Sequence, residues 1–307
     1  MTLAYTVALC THNHAGRLER TLADLPRIRP PSAAWEILVI DNGSRDATPD
    51  LLARHAWPAG WSVRVVREDK LGIANARNRA IAAALGEYLI FLDDDESADP
   101  NWLLSYERLI LARNPDAFGG RIEVVFEDPR PRWLSDELLG FLGKLDWGEE
   151  VRPLSDPGTP LYTGNFGFRR RIVEQIGLFD ISLGRRGEEN NGGEDVDFYR
   201  RIVGAGLKVW WNPDAVIYHR IQATKLCRGY FHDLHYRQGR MEGIRQRGMG
   251  SRMPPRYMFG QLLRAIGSTW TQRRQEGRDA TVRKEMNVAY FIGQIRGWAF
   301  GPDRGSD

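Results

Sequence analysis

Four consecutive acids follow a short apolar run, and they are the side chains best suited to chemistry in this chain. Residues 88–92 are rich in β-forming side chains and predict a strand buried on both faces. The acids at residues 93–96 then lie at the carboxyl end of that strand, where open α/β folds bind ligands. Clustered carboxylates repel one another unless a cation or hydrogen-bond donors compensate them. Mg²⁺ and Mn²⁺ prefer oxygen ligands, which they often share with a phosphate-bearing substrate.

The alternative for these acids is a solvated turn before a helix that begins near Asp99 and Pro100. Two further features favour a ligand site. Arg77 lies on an otherwise small and apolar predicted helix, where a nearby carboxylate or diphosphate explains it better than a surface position does. Glu194 and Asp195 follow two glycines at a predicted helix start, and a carboxylate there can take a proton from an attacking hydroxyl. Simple charge stabilisation of the helix start is the alternative for these two acids.

Strand and helix patterns alternate through the first half of the chain and place polar residues at strand ends. Thr11 and Asn13 follow the first predicted strand, and Asp41 follows the second. The predicted strands are residues 5–10, 36–40, 62–67 and 88–92, with helices from residue 17, over 49–56 and over 72–85. This repetition with short connections predicts a parallel sheet with right-handed crossovers.

The regular alternation stops near residue 115. Residues 124–160 form no clear pattern and predict a long functional loop. The later predictions are strands over 165–168, 208–211 and 215–218, helices over 171–177 and 194–204, and helical segments over 224–247, 256–275 and 279–298. We therefore divide the chain into a domain over residues 1–220 and a helical extension over residues 221–307.

Charge is distributed unevenly between these two parts. Residues 221–307 hold 16 Lys/Arg and 7 Asp/Glu, a net charge of +9, whereas residues 1–220 hold 27 and 33, a net charge of −6. A basic extension is typical either of contact with a polyanion or of helices with solvated arginine-rich faces. The chain has two cysteines, no secretory leader and no apolar run long enough to span a membrane, so we expect a cytoplasmic protein.

The chemistry-bearing residues together resemble glycosyltransferase family 2, inverting enzymes with the GT-A fold. The resemblance covers about residues 3–220 and rests on five motifs in the family's order. The motifs are Thr11-His12-Asn13, residues 40–46, residues 72–78, Leu92-Asp93-Asp94-Asp95 and Gly193-Glu194-Asp195. The resemblance implies an α/β GT-A three-layer sandwich with a mostly parallel sheet, here followed by a helical C-terminal extension. The absence of a GxGxxG fingerprint after the first strand argues against a dehydrogenase.

The resemblance also implies roles for the donor-binding residues. Thr11, Asn13 and Asp41 match positions that hold the nucleoside, although His12 and His14 depart from the usual pattern there. Further matches to the nucleotide-sugar site are Lys70, Arg77, Asp93, Asp94, Gly164, Asn165 and Glu194. Asp93 and Asp95 match the DxD motif and, with His219, the family's ligands for Mn²⁺ or Mg²⁺. Asp195 matches the general base.

The predicted function is therefore a metal-dependent hexosyltransferase that uses a nucleotide-sugar donor, of which a UDP-sugar is the first expectation. The acceptor is a hydroxyl on a carbohydrate, a lipid-linked sugar or another molecule, in polysaccharide or glycoconjugate synthesis. The alternatives are a sugar-1-phosphate nucleotidyltransferase and a noncatalytic nucleotide-binding or membrane-associated protein. Thr11 to Arg17 lacks the glycine-rich signature of the first alternative, and a binder needs no base at Asp195.

The last apolar segment, residues 286–300, has two interpretations. With Arg273, Arg274, Arg278 and Arg283 it suits the headgroup region of an anionic membrane, at the inner face of the cell membrane. Alternatively it packs against the catalytic domain or a second copy in a homo-oligomer. We expect no nucleic-acid partner.

Overall fold

A computed structural model describes residues 3–184, 192–247 and 253–301 of the chain. It divides into two compact units: Met1–Val125 with Gly143–Arg220, and Phe126–Leu142 with Ile221–Asp307. The predicted boundary at residue 220 coincides with the end of the first unit. The segment Phe126–Leu142, which the sequence assigned to the first domain, clusters with the C-terminal helices instead.

The first unit begins with four parallel strands separated by helices, as the alternating sequence pattern predicts. The strands are β1 (Tyr5–Thr11), β2 (Trp35–Asp41), β3 (Val63–Arg67) and β4 (Tyr88–Asp93), and the helices are α1 (Ala15–Asp24), α2 (Thr48–Arg54) and α3 (Ile73–Ala83). In register, Thr11 of β1 pairs with Asp41 of β2, and Cys10 pairs with Asp93 of β4. The polar strand ends therefore meet at one edge of the sheet.

The rest of the sheet contains antiparallel pairings, the first of which joins a later strand to β4. Its strands are β5 (Glu96–Ala98), β6 (Ala117–Phe126), β7 (Arg152–Leu154), β8 (Phe166–Arg169) and β9 (Val209–Ile221), with helices α4 (Trp102–Arg113), α5 (Val173–Ile176) and α6 (Glu194–Gly204) between them. The strand order is β3-β2-β1-β4-β8-β6-β9-β5, with β7 also paired to β9. β4 consequently lies centrally and is buried along its length, apart from Asp93 at its end.

Three local predictions need correction. The strands expected over residues 208–211 and 215–218 are one continuous strand, β9. The strand expected from Asn165 begins one residue later, because residues 163–165 form a 3₁₀ turn. The loop expected over residues 124–160 contains the 3₁₀ helix Asp136–Leu142 and strand β7.

The second unit is helical. It contains α7 (Arg228–Arg247), α8 (Arg256–Glu276) and α9 (Val282–Phe300), close to the three predicted segments. Aromatic contacts join the segment Phe126–Leu142, which we call the inserted segment, to α7. The ring centroids of Trp133 and Phe231 are 5.4 Å apart, and those of Phe141 and His235 are 4.9 Å apart. In the described part of the chain, no helix has the length and hydropathy of a membrane span.

Helices α7 and α9 meet through four glycines rather than through large side chains. The glycines are Gly239 and Gly243 on α7, and Gly293 and Gly297 on α9. A Cβ added at any of them would lie between 1.9 and 2.0 Å from a carbonyl oxygen of the facing helix. The two backbones are therefore in direct contact, and α9 is held by packing inside this unit.

Candidate active site

The acids after β4 lie in a compact network at the sheet edge. Glu96 accepts a hydrogen bond from the backbone N–H of Asp93 at 2.9 Å. Asp94 is buried and accepts from the Thr11 hydroxyl at 2.5 Å, and the Nδ1 atom of His14 lies 3.1 Å from the same carboxylate oxygen. The predicted nucleoside residue Thr11 and the predicted donor-site residue Asp94 are thus in direct contact. Asp93 keeps 38% of its side chain exposed and is the acid of this group most open to a ligand.

Asp95 and His219 face each other across two strands. β5 pairs with β9 so that Glu96 lies opposite His219, and Asp95 immediately precedes β5. The His219 Nε2 atom lies 3.4 Å from an Asp95 carboxylate oxygen. The structure therefore brings together two of the three predicted metal ligands, which are 124 residues apart in a sequence that alone gives no contact between them.

Burial and mutual repulsion make these acids hard to ionise together. Burial raises the pKa of Asp93, and the charges of Asp95 and Asp94 add to this while Arg77 opposes it. Burial likewise raises the pKa of Glu96 well above its ordinary value, and the charge of Asp93 adds to the effect. A cation at this edge would relieve the repulsion.

Arg77 connects this acidic edge to the start of α6. Its guanidinium is buried, donates to Glu194 at 2.5 Å and lies 3.7 Å from an Asp93 carboxylate oxygen. Burial alone would lower the pKa of Arg77, but the carboxylates of Glu194 and Asp93 raise it above its ordinary value. The interpretation of Arg77 as a partner of nearby carboxylates is borne out by these contacts.

Two buried polar atoms of this ion pair have no hydrogen-bond partner among the residues that the structure describes. They are the second carboxylate oxygen of Glu194 and the Nε atom of Arg77. Because unpaired buried polar groups are costly, such atoms are often the ones that a bound ligand satisfies. Glu194 is therefore held by Arg77 through one carboxylate oxygen and has its other oxygen left to accept a hydrogen bond from a ligand.

Asp195 occupies the first turn of α6, beside Glu194. Gly193 precedes the helix with φ +110°, a conformation that residues with a Cβ rarely adopt. Asp195 is half-buried and accepts the Val196 backbone N–H at 2.8 Å. Burial, followed by the charge of Glu194, raises the pKa of Asp195 from 3.8 to about 6, and Arg77 limits the increase. A carboxylate with that pKa is ionised near neutral pH and still basic enough to take a proton.

The residues predicted to bind the nucleoside lie around the ends of β1 and β2. Asp41 is buried, accepts the Ser44 N–H at 2.9 Å and pairs with Arg67 at 3.3 Å. Asn13 is exposed, has φ +53°, and uses its side-chain oxygen to accept the Arg45 N–H at 2.7 Å. Lys70 is exposed on the loop after β3, near Asn42, which donates to the Lys70 carbonyl at 2.7 Å. These three residues lie around the same edge of the sheet. The side chains of Asn13 and Asp41 already form hydrogen bonds with other residues of the protein.

Gly164 and Asn165 lie beneath the acids, where their roles in this structure are structural. A Cβ on Gly164 would lie 2.2 Å from a carboxylate oxygen of Glu96, so the glycine makes room for that acid. Asn165 is fully buried, and its side-chain oxygen accepts from Trp102 and Tyr106 while its amide donates to the carbonyls of Arg121 and Ala215. Its side chain has no remaining group for a donor sugar.

Sequence reasoning missed several residues of this site. Arg67 ends β3 directly opposite Asp41, and an arginine at the end of a predicted strand beside an acid-ended one was a usable signal. Tyr162 has its pKa raised by burial and by the charge of Asp195, and nothing local in the sequence marks it. Glu188 and Glu189, which the sequence offers as loop acids or as acids of an acceptor pocket, lie outside the described residues.

Comparison with known families identifies the chain. The family model described as glycosyl transferase family 2 matches residues 6–177, more than half of the sequence. The chain belongs to glycosyltransferase family 2. The family resemblance carried by the sequence motifs is thus confirmed.

The matches to curated relatives cover more of this family-2 chain than the family model does. The succinoglycan biosynthesis protein ExoM of Rhizobium meliloti (strain 1021) is 25% identical over 79% of this chain and 75% of its own length. Glycosyltransferase AglE of Haloferax volcanii is 26% identical over 70% of this chain and 66% of its own length.

Solved structures confirm the fold class. The mannosyltransferase PcManGT from Pyrobaculum calidifontis, in complex with GDP-Man and Mn²⁺, superposes with a TM-score of 0.60 at 18% identity and covers 97% of this chain and 87% of its own. S. aureus TarS 1-349 in complex with UDP superposes with a TM-score of 0.55 at 16% identity and covers 76% of this chain and 64% of its own. At such identities these likenesses establish the GT-A fold and nothing finer.

Proposed function

We propose that this chain transfers a hexose from a nucleoside diphosphate sugar to a hydroxyl acceptor, with inversion at the anomeric carbon. The observation that carries the proposal is the position of Arg77. It pairs with Glu194, beside the proposed base Asp195, and lies 3.7 Å from Asp93 of the proposed donor site. These contacts support the proposal, because one buried cation joins the carboxylate next to the proposed base to the proposed diphosphate-binding edge.

The proposed proton transfer belongs to Asp195. As the acceptor hydroxyl attacks the anomeric carbon, the Asp195 carboxylate takes its proton, and the nucleoside diphosphate departs from the opposite face. An α-linked donor therefore gives a β-glycoside. Glu194 and Arg77 set how readily Asp195 gains a proton, because the charge of Glu194 raises its pKa and that of Arg77 lowers it.

We propose that Asp93, Asp95 and His219 hold Mn²⁺ or Mg²⁺ together with the donor diphosphate. Among the residues that the structure describes, no group of three His, Cys, Asp or Glu side chains could by itself hold a metal ion. An open set fits these ions, which usually complete their coordination with substrate phosphates and water. When bound, such an ion supplies positive charge that stabilises the leaving diphosphate.

For the donor we propose a UDP-sugar, with Thr11, Asn13, Asp41 and Lys70 around the nucleoside. The edge formed by β1, β2 and the loop after β3 brings these residues near the acids. TarS in complex with UDP and GalNAc-T7 with UDP, GalNAc and Mn²⁺ share the fold, with TM-scores of 0.55 and 0.56. PcManGT carries GDP-Man, so experiment must decide whether the nucleobase of the donor is uracil or guanine.

For the pathway we propose polysaccharide or glycoconjugate synthesis in the cytoplasm. ExoM is named for succinoglycan biosynthesis, and a Haloferax volcanii relative, 24% identical over half of this chain, is named as a glucosyl-dolichyl phosphate glucuronosyltransferase. Both names describe sugar transfer within larger glycan assembly. The proposed acceptor is accordingly a carbohydrate hydroxyl, free or carried on a lipid.

The deciding experiment incubates the purified chain with a panel of nucleotide sugars and Mn²⁺, with simple glycosides as acceptors. We expect release of nucleoside diphosphate that stops with a chelator and returns with added Mn²⁺. Formation of pyrophosphate from a nucleoside triphosphate and a sugar 1-phosphate would instead identify a nucleotidyltransferase. Nucleotide-sugar binding without release of any product, with every acceptor tried, would overturn the proposal.

A further inference from the structure

Helix α8 of the second unit has a continuous apolar face exposed to solvent. Phe259, Leu263, Ile266 and Trp270 are all exposed, and Leu263 has 69% of its surface accessible. Their spacing of four, three and four residues places them on one side of the helix. Met258, on another side, is the one fully buried residue among those described for α8, and α8 also contacts α9.

Arginines border this apolar face. Arg256, Arg273 and Arg274 are exposed and lie beside it, while Glu276 is the helix's single acid. The Arg274 guanidinium lies 3.6 Å from the Trp270 ring centroid, so it covers one edge of the apolar face. Aromatic side chains beside arginines are the arrangement that interfacial helices use at a lipid headgroup layer.

We propose that α8 binds the surface of an anionic membrane, with this apolar face inserted among the acyl chains and the bordering arginines contacting anionic headgroups. The helix would lie in the plane of the interface rather than cross the bilayer. The charge of the sequence agrees, since residues 221–307 carry +9. Binding of this kind is separate from sugar transfer and would hold the enzyme near a lipid-carried acceptor.

A second copy of this chain is the other occupant that such a face suits, because the same spacing matches the seam of a coiled coil. Charge disfavours that occupant. Arg256 and Arg273 continue the spacing at the two ends of the seam. Parallel pairing would place each arginine beside its own copy, and antiparallel pairing would place Arg256 beside Arg273, so both arrangements bring like charges together. An anionic surface has the complementary charge.

The surface differs from the one that the sequence suggested. The sequence left membrane binding and internal packing open for residues 286–300. In the structure, Met286 and Trp298 of α9 are buried, and Gly293 and Gly297 contact α7. Arg283 lies over the Phe141 ring at 4.8 Å. Packing within the unit therefore explains the buried residues of α9, and the exposed apolar face belongs to its neighbour α8.

The test is vesicle flotation of the full chain, which needs no transferase activity. The vesicles contain phosphatidylcholine alone or phosphatidylcholine with phosphatidylglycerol. We expect the chain to float with the second type only and to be released by high salt. Leu263→Ser combined with Trp270→Ser should lower partition tenfold or more, and Arg273→Gln with Arg274→Gln should lower it about tenfold or more, from ~1 kcal/mol per arginine near the surface.

Matched controls come from α4 of the first unit. Leu111 is 76% exposed and Arg108 is exposed, so Leu111→Ser and Arg108→Gln make the same chemical changes elsewhere and should leave partition unchanged. Equal partition into both vesicle types, or into neither, would overturn the proposal. Concentration-dependent self-association that Leu263→Ser abolishes, without flotation, would also overturn it and assign the face to a second copy.

Discussion

The carboxylate of Asp195 is under two opposing demands. As the proposed base it must be ionised to accept a proton, yet its half-buried position and the neighbouring charge of Glu194 make ionisation costly and raise its pKa to about 6. The protonated form, which predominates below that pH, cannot act as a base. The same raised pKa makes the ionised carboxylate a better proton acceptor near neutral pH.

Substitution Asp195→Asn should therefore abolish most turnover while leaving the donor site intact. We expect kcat to fall by about 10² to 10⁴, the usual loss for a general base, with little change in nucleoside diphosphate affinity measured by calorimetry. In the wild type, kcat/KM should rise with pH through a midpoint near 6. A variant that keeps its turnover but loses nucleotide binding would place Asp195 on the donor side.

The same substitution should stabilise the protein at neutral pH. The folded-state pKa of about 6 exceeds the ordinary 3.8, so the folded state holds its proton longer, and stability falls as pH rises between these values. Above pH 6 the full cost is present, at most about 3 kcal/mol for two pKa units. Urea unfolding should show Asp195→Asn more stable than wild type at pH 8, with no difference below pH 4. An equal difference at both pH values would mean that the gain is not electrostatic.

The pair formed by Arg77 and Glu194 should show strong coupling. Arg77→Met leaves a buried carboxylate unpaired, and we expect a loss of about 3–5 kcal/mol of unfolding free energy. Arg77→Met with Glu194→Gln should be more stable than Arg77→Met alone, because the stranded charge is gone, yet remain inactive. A double-mutant cycle by urea unfolding measures this coupling. Additive effects would show that the two side chains do not depend on each other.

The strands and helices of the first half could be predicted because their signals are local. Apolar runs of five or six residues that end in polar turns indicate buried parallel strands, and β1, β2 and β4 fit this description. β9 was predicted as two strands, since Asn212 and Pro213 are turn formers. Its pairing with β7 before these residues and with β5 after them keeps the strand continuous. Such long-range pairing is not visible in a sequence window.

The residues of the site likewise divide into those with a local signal in the sequence and those whose contacts depend on long-range pairing. The acids after β4, Arg77 and Asp195 were recognisable, because each is an unusual residue in its local context. The contact between Asp95 and His219, the pairing of Arg67 with Asp41 and the effect of Asp195 on Tyr162 depend on which strands become neighbours. The hydrogen bonds of the Asn165 side chain depend on four partners from three separate parts of the chain.

Helices α7 and α9 should tolerate no side chain at their crossing. Gly293→Ala places a methyl group about 2.0 Å from the Tyr236 carbonyl oxygen, so the helices must separate. We expect a loss of at least about 1–3 kcal/mol, as for overpacked cores. Gly267→Ala on α8 is the matched control, because nothing lies within 4 Å of its added methyl, and it should gain about 0.5–1 kcal/mol of helix propensity. Thermal unfolding measures the stability of the two variants. If Gly293→Ala and Gly267→Ala change the melting temperature equally, the contact between the two backbones does not contribute to stability.

The division into two units makes a prediction about truncation. A chain that ends at residue 220 retains residues 126–142 but loses the helices with which they cluster. Leu138 and Leu142, which are buried in the full chain, lose these neighbours, as do the rings of Trp133 and Phe141. We expect this truncated chain to bind a hydrophobic dye and to aggregate.

Replacing residues 127–142 of the truncated chain by a short Gly/Ser linker supplies the control, since it removes the segment left without partners. That version should stay soluble and bind less dye. If the simple truncation remains soluble and binds no dye, the inserted segment does not depend on the C-terminal helices, and the sequence-based boundary at residue 220 is the better one.

The glycine contact between α7 and α9 also limits how the two helices can align. Both pairs, Gly239 with Gly243 and Gly293 with Gly297, are separated by four residues. Sliding one helix by four positions would keep one glycine in place and put a bulkier residue against the other backbone, and any smaller slip would displace both. Alternative alignments of this pair are therefore strongly disfavoured, and a helical pair without a large interlocking apolar core still has a single defined register.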